Sequence, residues 1–275
     1  PPNLAISDDL AASVRAAELV LAVVPSRAFA GLLADLKPHI QQTPLMWAIK
    51  GFEAGSGRLL TDVFMETLGE HPHAILAGPS FAKEVAAGQP TAVTIAARDD
   101  ALAQTFARYF HGSNFLCYTS TDLTGIQIGG AVKNVIAIAT GIADGLGCGA
   151  NARAALVTRG LREITRLATA LGAQEETLTG LAGMGDLVLT CTDDQSRNRR
   201  FGLALGRGES AAAAKAAIGQ VVEGEGATHD TYALAQQHGI RMPITEHLHH
   251  MLAGSRSLED TFASLLARNI KQERH

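Results

Sequence analysis

One lysine, Lys133, lies in a long run of small and apolar residues that extends over positions 125–141. Every close neighbour except Gln127 and Asn134 is apolar or small. Burial of an ammonium group in such surroundings costs several kcal/mol unless a partner compensates, and desolvation lowers the lysine pKa toward neutrality. The run therefore predicts a lysine that takes part in proton transfer.

A second interpretation of Lys133 keeps its ammonium group in water while the stem packs on an apolar helix, which is the commoner arrangement for lysines in general. At helical spacing, the neighbours of Lys133 are Gly129, Gly130, Ile136 and Ala137. These small, closely packing residues favour the floor of a pocket over a solvated helix face.

A carboxylate and a hydroxyl group follow the glycine-rich stretch that ends at position 185, namely Asp186 and Thr190. On a helix over residues 186–190 the two groups lie on one face and can act at one site. A solvated polar loop is the alternative interpretation of this part of the chain. It accounts poorly for Asp186, which lies between glycines and an apolar run.

Polar donors gather a few residues later, at Ser196, Arg197 and Asn198, where a helix is predicted to begin. Arginine forms bidentate, charge-assisted bonds to phosphate groups, and a helix N-terminus adds a favourable dipole. The segment therefore predicts a phosphate site. The next two residues, Arg199 and Arg200, are explained equally well as solvated loop residues.

Two further candidate segments each follow a predicted strand. Lys50 comes directly after the strand over 45–49, and the sequence Gly-Pro-Ser-Phe-Ala at 78–82 comes directly after the strand over 74–77. Ligands of doubly wound sheets bind beyond the carboxyl ends of the strands, so Lys50 is a candidate contact for an anion or a substrate oxygen. An ordinary loop lysine is an equally good interpretation from spacing alone.

The elements that position these residues differ between the two parts of the chain. Before about residue 120, short apolar runs alternate with amphipathic stretches, a pattern typical of a mostly parallel sheet covered by helices on both faces. Strands are predicted over 19–24, 45–49, 74–77, 92–97 and 115–118, and helices over 26–36, 58–68 and 99–110, the first with Ser26 as N-cap.

After about residue 122 the strand signal disappears and helical patterns follow one another. Helices are predicted over 125–142, 152–171, 177–181, 186–190, 199–205, 211–218, 227–238, 244–252 and 258–268, and C-caps at Gly172, Gly206, Gly239 and Gly254. The sequence thus predicts an α/β, doubly wound domain over residues 1–122 and an all-α domain over residues 123–275.

Composition excludes several classes of function. The 275 residues are 47% hydrophobic and carry a net charge of −4, which argues against the basic footprint needed for nucleic acid or anionic membrane. Lys133 and Asn134 interrupt the longest apolar run, so no membrane span of roughly 18 residues is predicted. Three scattered cysteines favour a reducing cytoplasm, and the histidines near position 248 match no zinc pattern, so no metal is predicted.

A doubly wound sheet that leads into helices is a common plan of nucleotide-dependent dehydrogenases, which hold the pyrophosphate at a Gly-x-Gly-x-x-Gly loop after the first strand. The chain contains no such loop at such a place, and it opens with two prolines. We therefore expect it to begin inside a longer protein.

Seven short motifs are spread over nearly the whole chain. They are Ile49-Lys-Gly51, Gly78-Pro-Ser-Phe-Ala-Lys-Glu84, Gly129-Gly-Ala-Val-Lys-Asn134, Gly149-Ala-Asn-Ala-Arg153, Gly185-Asp-Leu-Val-Leu-Thr-Cys191, Ser196-Arg-Asn-Arg-Arg-Phe-Gly202 and Val221-Val-Glu-Gly224. In order and interval they resemble the bacterial NAD(P)-dependent glycerol-3-phosphate dehydrogenases. The resemblance implies a Rossmann-like α/β domain, truncated at its start, followed by an all-α substrate domain.

The resemblance also implies a reaction, in which sn-glycerol 3-phosphate and dihydroxyacetone phosphate are interconverted by hydride transfer with NAD or NADP. This reaction would supply glycerol 3-phosphate for phospholipid synthesis. Lys133 is the implied proton acceptor and donor at the C2 oxygen. The other implied catalytic residues are Asn134, Asp186 and Thr190; the implied substrate contacts are Lys50, Gly78, Ser80, Lys133, Asp186, Ser196, Arg197 and Asn198; and the implied cofactor contacts are Lys50, Ala82, Arg197, Val221 and Glu223.

The expected partner is thus a phosphorylated triose, with a homodimer as a further expectation and no nucleic acid or membrane. Two rival functions remain open. One is another two-domain dehydrogenase, of the hydroxy-acid or phosphogluconate type, which activity on a different hydroxy acid would favour. The other is a non-enzymatic fragment that keeps the substrate residues, which failure of a folded chain to bind NADH would favour.

Overall fold

The computed structural model of the protein describes residues 3–266, in which five strands form one sheet. The strands lie side by side in chain order: β1 (Val20–Ala22), β2 (Leu45–Trp47), β3 (His73–Ala77), β4 (Thr91–Ala96) and β5 (Phe115–Ser120). Three of the neighbouring pairs are parallel, whereas β3 and β4 are antiparallel. The five predicted strands and the mostly parallel sheet are confirmed; the antiparallel pair was not predicted.

Helices cover both faces of this sheet. They are α1 (Leu10–Ala16), α2 (Ser26–Leu36), α3 (Leu60–Leu68), α4 (Ala82–Ala86) and α5 (Asp100–Ala107). Side chains alternate along a strand, so Trp47 packs with Phe29 of α2 and Phe64 of α3, while Met46 shares a separate cluster with Phe106 of α5. Two apolar layers therefore enclose the sheet, as the doubly wound prediction requires.

The start of α2 differs from the prediction. Ser26 is the first helical residue rather than the N-cap, and Pro25 precedes it without a side-chain hydrogen bond. Proline lacks an N–H group and has a fixed φ, so it suits the boundary of a helix. By contrast, Asp99 caps α5 by accepting a hydrogen bond from the Leu102 N–H group over 2.8 Å.

The second part of the chain is helical throughout its described residues. Its helices are α6 (Leu123–Gly145), α7 (Gly149–Ala170), α8 (Glu175–Thr179), α9 (Asp186–Thr192), α10 (Arg197–Gly206), α11 (Ala211–Ile218), α12 (Glu223–Gln237), α13 (Pro243–Leu252) and α14 (Leu258–Leu266), with one π-helical turn at Leu181–Gly185 between α8 and α9. The predicted helix over 258–268 ends outside the described residues. The all-α prediction is confirmed for the remainder.

Helix α6 forms the centre of the helical part, where α7, α9, α10, α12 and α13 pack around it. Its length and composition would allow it to cross a bilayer, so the expectation that Lys133 and Asn134 interrupt the apolar run was too strict. Its most apolar stretch is buried entirely inside the protein. A helix enclosed by other helices needs apolar or small residues on every face.

Glycines allow α6 and α10 to pack main chain against main chain. A Cβ atom at Gly141 would overlap the Arg199 carbonyl, and one at Gly202 would overlap the Ile138 carbonyl. Gly206, predicted as a C-cap, is instead the last residue of α10, where it packs against Ile142 and Gly145. Positive φ angles occur at the three other predicted caps: Gly172, Gly239 and Gly254.

Candidate active site

Lys133 meets two polar groups of α9 inside the protein. Its Nζ atom pairs with Oδ1 of Asp186 and donates a hydrogen bond to Oγ1 of Thr190 over 2.8 Å. The Thr190 hydroxyl in turn donates to the main-chain carbonyl of Asp186 over 2.6 Å. The Lys133 side chain is only 4% exposed, so the interpretation with a solvated ammonium group was wrong. Asp186 and Thr190 share one helix face, as predicted.

Lys50 brings a second ammonium group to the same carboxylate. Its Nζ atom lies 2.8 Å from Oδ2 of Asp186 and donates to the Gly78 carbonyl over 3.2 Å. The Ser80 hydroxyl donates to that same carbonyl over 3.1 Å. Each oxygen of Asp186 therefore faces one lysine, and the interpretation of Lys50 as an ordinary loop residue was wrong.

The sheet determines where Lys50 and Gly78 lie. Lys50 follows β2 and Gly78 follows β3, and the carboxyl ends of two neighbouring parallel strands meet at one edge of a sheet. Gly78 has a φ of 134°, and a Cβ atom there would lie 3.1 Å from Cα of Val93. A residue without a side chain is needed where the chain turns this close to β4.

Helix packing determines where Asp186 lies. The π-helical turn just before α9 approaches α6 at Gly129, where a Cβ atom would lie 3.0 Å from the Ala182 carbonyl oxygen. At Gly183 a Cβ atom would overlap the Leu178 carbonyl. Single π-helical turns recur at functional sites. These glycines let the turn seat α9 against α6, which places Asp186 opposite Lys133.

Burial and charge together set the protonation of this group. Desolvation lowers the pKa of Lys133 from 10.5 to about 7, because the attraction of Asp186 only partly offsets burial and the nearby Lys50 charge adds to the lowering. Burial alone would raise the pKa of Asp186, but the two ammonium groups lower it below its ordinary value. Asp186 is therefore ionised at neutral pH, where Lys133 exchanges its proton.

The predicted phosphate segment forms the start of α10. The Ser196 hydroxyl caps this helix by accepting from the Arg199 N–H group over 3.2 Å. The amide oxygen of Asn198 accepts from the Gly224 N–H group over 2.9 Å. A Cβ atom at Gly224 would lie 2.9 Å from the Asn134 carbonyl oxygen, so both asparagines meet the start of α12.

Two clefts open beside these residues, and Arg197 lines both. The first, of about 300 Å³, is lined by Val23, Val24, Pro25, Ala48, Ile49, Lys50, Arg197, Val221 and Glu223. The second, of about 630 Å³, is lined by Phe81, Ala82, Lys83, Asp193, Asp194, Gln195, Arg197, Arg200 and Gln220. The structure thus brings four of the five predicted cofactor residues to the first cleft and Ala82 to the second.

The first cleft fits the nicotinamide end of a dinucleotide. It lies beyond the carboxyl ends of β1 and β2, where doubly wound sheets bind such cofactors. Its walls are largely apolar, with charged groups at Lys50, Arg197 and Glu223. Burial raises the pKa of Glu223, although the neighbouring cations oppose the rise. Within residues 3–266, no group of three or more His, Cys, Asp or Glu side chains is arranged to hold a metal ion.

Sequence reasoning missed one polar network. Arg199, which was explained as a solvated loop residue, is only 8% exposed and pairs with Asp144 and Asp194. Arg153 contacts the same oxygen of Asp144. Arg153 belongs to one of the seven motifs, which was the available signal, but spacing along the chain does not show that these residues meet.

Comparisons with known proteins agree with this geometry. The family pattern described as NAD-dependent glycerol-3-phosphate dehydrogenase N-terminus matches residues 1–103, and the one described as its C-terminus matches residues 122–263. The glycerol-3-phosphate dehydrogenase (NAD(P)+) of Serratia proteamaculans is 51% identical in an alignment 278 residues long, which covers all of this chain and 82% of that protein. The same-named protein of Haemophilus ducreyi is 54% identical in an alignment 276 residues long, which covers 99% of this chain and 82% of that protein.

Solved structures give the same result. The glycerol-3-phosphate dehydrogenase of Coxiella burnetii matches with a TM-score of 0.91 and 48% identity, over 94% of this chain and 80% of that one. A D-mandelate dehydrogenase, at 11% identity and a TM-score of 0.57, shares the fold alone. The paired lysines, the buried carboxylate and these matches lead to one conclusion: the chain belongs to the NAD-dependent glycerol-3-phosphate dehydrogenase family.

Proposed function

We propose that this protein interconverts dihydroxyacetone phosphate and sn-glycerol 3-phosphate, with NAD or NADP as the hydride carrier. The observation that carries the proposal is the buried carboxylate of Asp186 held between Lys133 and Lys50. Membership of the family supports the substrate and the cofactor. The product would be used for phospholipid synthesis.

Proton transfer is the proposed task of Lys133. During reduction, negative charge develops on the C2 oxygen of the substrate, and a nearby ammonium group stabilises that charge and donates the proton. When bound, NAD or NADP would supply the hydride to C2, or take it up in the reverse direction. Asp186 and Thr190 hold the Lys133 ammonium group by an ion pair and a hydrogen bond. In the oxidising direction, neutral Lys133 accepts the hydroxyl proton.

Substrate binding is proposed for residues on both sides of Lys133. Lys50, Gly78 and Ser80 contact the triose where β2 and β3 end, since their polar groups converge on one carbonyl. The phosphate group binds at the start of α10, where Ser196, Arg197 and Asn198 supply donors and the helix dipole favours an anion. In this scheme Asn134 orients the substrate beside Lys133.

The cofactor is proposed to bind along the first cleft. Lys50, Arg197, Val221 and Glu223 line that cleft, and Ala82 contacts the cofactor from the neighbouring one. The apolar walls exclude water from the nicotinamide ring, which protects hydride transfer.

Three broader proposals accompany the activity. The α/β domain comprises residues 1–122 and the substrate domain residues 123–275, a division supported by the end of β5 at Ser120 and the start of α6 at Leu123.

Location in the cytoplasm is supported by three free cysteines, and a homodimer by family resemblance alone. Sedimentation velocity of the purified protein tests the dimer, because a single species of 28.8 kDa would contradict it.

One assay tests the proposed function. Oxidation of NADH and of NADPH is measured with dihydroxyacetone phosphate for this chain, for a version extended upstream, and for Lys133→Ala in each. We expect turnover with at least one cofactor and a loss of about 10²- to 10⁴-fold in the variant, as for other general acids. Calorimetry should show unchanged cofactor binding by the variant.

Three results would contradict this proposal. Near-normal turnover of Lys133→Ala would remove the lysine from the mechanism. Activity on another hydroxy acid, without activity on the triose phosphate, would assign the chain to a different dehydrogenase class. A folded chain that binds neither NADH nor NADPH even when it is extended upstream would favour a non-enzymatic protein.

A further inference from the structure

A chain of ion pairs connects α6, α7 and α10 at one end of the helical part. Asp144, near the end of α6, receives two guanidinium groups on its Oδ2 atom: Arg199 at 2.5 Å and Arg153 at 2.7 Å. Arg199 Nε also lies 3.0 Å from Oδ1 of Asp194. None of these four residues has a role in the reaction proposed above.

The two residues at the centre of this network are nearly buried, whereas Arg153 is 29% exposed. Side-chain exposure is 9% for Arg199 and 10% for Asp144, whereas Asp194 is largely exposed. A buried ion pair is no guarantee of stability, but removal of one partner leaves an uncompensated charge and is strongly unfavourable. The planar, forked guanidinium group of Arg199 fixes direction as well as distance.

Arg199 directly follows the proposed phosphate-binding turn, Ser196–Asn198. Its N–H group donates to the Ser196 hydroxyl, and its main-chain carbonyl lies so close to Gly141 of α6 that a Cβ atom there would overlap it. The side chain and the main chain of Arg199 thus both dock on α6, the helix that carries Lys133. The position of the turn relative to Lys133 depends on this docking.

The ion pairs of Arg199 also affect which arginines face the cleft. Three arginines lie close together in the sequence, and Arg197 and Arg200 both line the 630 Å³ cleft. Arg199 faces Asp144 and Asp194 instead. The two carboxylates hold the guanidinium group of Arg199, which leaves Arg197 and Arg200 to face the cleft.

We propose that Asp144 is a positioning residue, which acts through Arg199 to hold the turn Ser196–Asn198 at the correct distance from Lys133 for a phosphorylated substrate. Asp144 itself touches neither substrate nor cofactor. The proposal rests on the proposed function, because it assumes that the turn binds the phosphate group.

The test compares Asp144→Asn and Arg199→Lys with the unaltered protein. Asp144→Asn removes the charge at nearly constant shape, and Arg199→Lys keeps a charge but loses the fork. We expect the KM for dihydroxyacetone phosphate and the Kd from calorimetry to rise by about 10- to 100-fold in Asp144→Asn, since misplacement by about 1 Å has effects of this size. Arg199→Lys should give a smaller rise.

Further measurements on the same protein samples distinguish a positioning role of Asp144 from a purely structural one. We expect the KM for NADH to rise less than the KM for the triose phosphate, because Arg197 is the only residue of the turn that lines the first cleft. The pH midpoint set by Lys133 should stay constant, because α9 is untouched. In the double variant Asp144→Asn/Arg199→Lys, the rise in Kd should be much smaller than the product of the single effects, as for groups that act as one unit.

Glu163→Gln is the matched control. Glu163 is another buried carboxylate of the helical part, but it accepts hydrogen bonds from Ile244 and Thr245 at the start of α13 and has no contact with the turn. Its loss should lower the melting temperature without a change in the Kd for the triose phosphate.

The proposal is overturned if Asp144→Asn binds the triose phosphate within twofold of the unaltered protein, or if Glu163→Gln weakens binding equally. Should Asp144→Asn not fold, Arg199→Lys decides alone, and unchanged binding in that variant overturns the proposal. Calorimetric binding needs no turnover. A protein that binds the triose phosphate but does not reduce it therefore refutes the proposed function while the positioning role is still tested.

Discussion

Lys133 and Asp186 lie in a pocket where the charge of each group depends on the other. Two ammonium groups face one carboxylate, so the cluster is positive when both lysines are protonated and neutral when Lys133 has lost its proton. This change of one charge lies beside the proposed position of the C2 oxygen. The pH of the solution therefore controls the direction in which the site can transfer a proton.

The first prediction concerns this pH dependence. The pKa of Lys133 is about 7, so the proton donor is present below that pH and is lost above it. For reduction of dihydroxyacetone phosphate, kcat/KM should fall as pH rises through about 7, and for oxidation of glycerol 3-phosphate it should rise over the same range. Initial rates between pH 5.5 and pH 9 in both directions check this, and parallel profiles would contradict it.

The second prediction concerns Asp186→Asn. Loss of the carboxylate removes the attraction that keeps the Lys133 ammonium group charged, so desolvation lowers its pKa further. The reductive midpoint should move to lower pH, and turnover at pH 7.5 should fall by about 10²- to 10⁴-fold. In Glu163→Gln, which leaves the cluster intact, the midpoint should not move. A midpoint that stays constant in Asp186→Asn would show that the carboxylate does not control the pKa of Lys133.

For single residues, the sequence predicted which residues belong to the site better than it predicted which residues they contact. Lys133 and Asp186 were recognisable because a charged group in an apolar run needs compensation. Lys50 could not be assigned to Asp186, because the contact joins a loop after a strand to a helix far along the chain. Such contacts follow from tertiary packing, which local spacing does not contain.

Helices α6 and α10 behave as one unit, because their glycines remove the side chains between them. The contact surfaces are carbonyl and Cα atoms of the main chain, which cannot move aside as a flexible side chain can. Whatever shifts α10 therefore also shifts the phosphate-binding turn at its start.

The third prediction tests this unit with Gly202→Ala. The added methyl group would overlap the Ile138 carbonyl, so α10 must move away from α6, at a cost of about 1–3 kcal/mol in the free energy of unfolding. The melting temperature should fall and the KM for the triose phosphate should rise. Both are measured on the purified variant, by calorimetry and by initial rates.

Gly31→Ala is the control for this experiment. Gly31 lies within α2, and a Cβ atom there meets no heavy atom within 4 Å. Alanine favours a helix over glycine by roughly 0.5–1 kcal/mol, so this variant should be slightly more stable and bind substrate normally. Equal losses in both variants would mean that glycine replacement, rather than helix separation, causes the effect.

Element types were predictable from sequence, but element ends were less so. Periodicity identified every strand and the long helices, since it reports which face is buried. Gly206 was misassigned as a cap because a glycine at a helix end and a glycine at a helix contact look the same in sequence. The π-helical turn before α9 has no periodic signal in the sequence. It lies where Gly183 packs against the main chain of Leu178, a contact that periodicity does not report.

At the scale of the whole molecule, residues of the candidate site connect the sheet to the helical part. Lys50 comes from the sheet and Asp186 from the helical part, and their ion pair crosses between the two. A second connection is the Gln127 side chain of α6, which accepts from the Thr61 N–H group over 3.1 Å and donates to the Thr61 hydroxyl over 2.9 Å. These contacts couple the stability of the two parts.

The fourth prediction is that the protein unfolds in a single thermal transition, and that substrate raises the midpoint temperature of this transition. Dihydroxyacetone phosphate at 100 times its Kd should stabilise the protein by about 2.7 kcal/mol. For a chain of this size that corresponds to a shift of several degrees, at roughly 2–4 °C per kcal/mol. Differential scanning calorimetry measures it. Two separate transitions, of which only one responds to the ligand, would show that the parts unfold independently.

The glycine contact between α6 and α10 also limits which substrates this architecture can acquire. The distance from the lysine to the anion-binding turn is set largely by main-chain contacts between α6 and α10, so side-chain exchanges that leave these contacts intact do not lengthen it. A shift in preference toward a longer or shorter phosphorylated alcohol would require insertions or deletions in the segment 193–196 before α10. Selection for a new chain length should therefore act on loop length, whereas the two helices should tolerate little change.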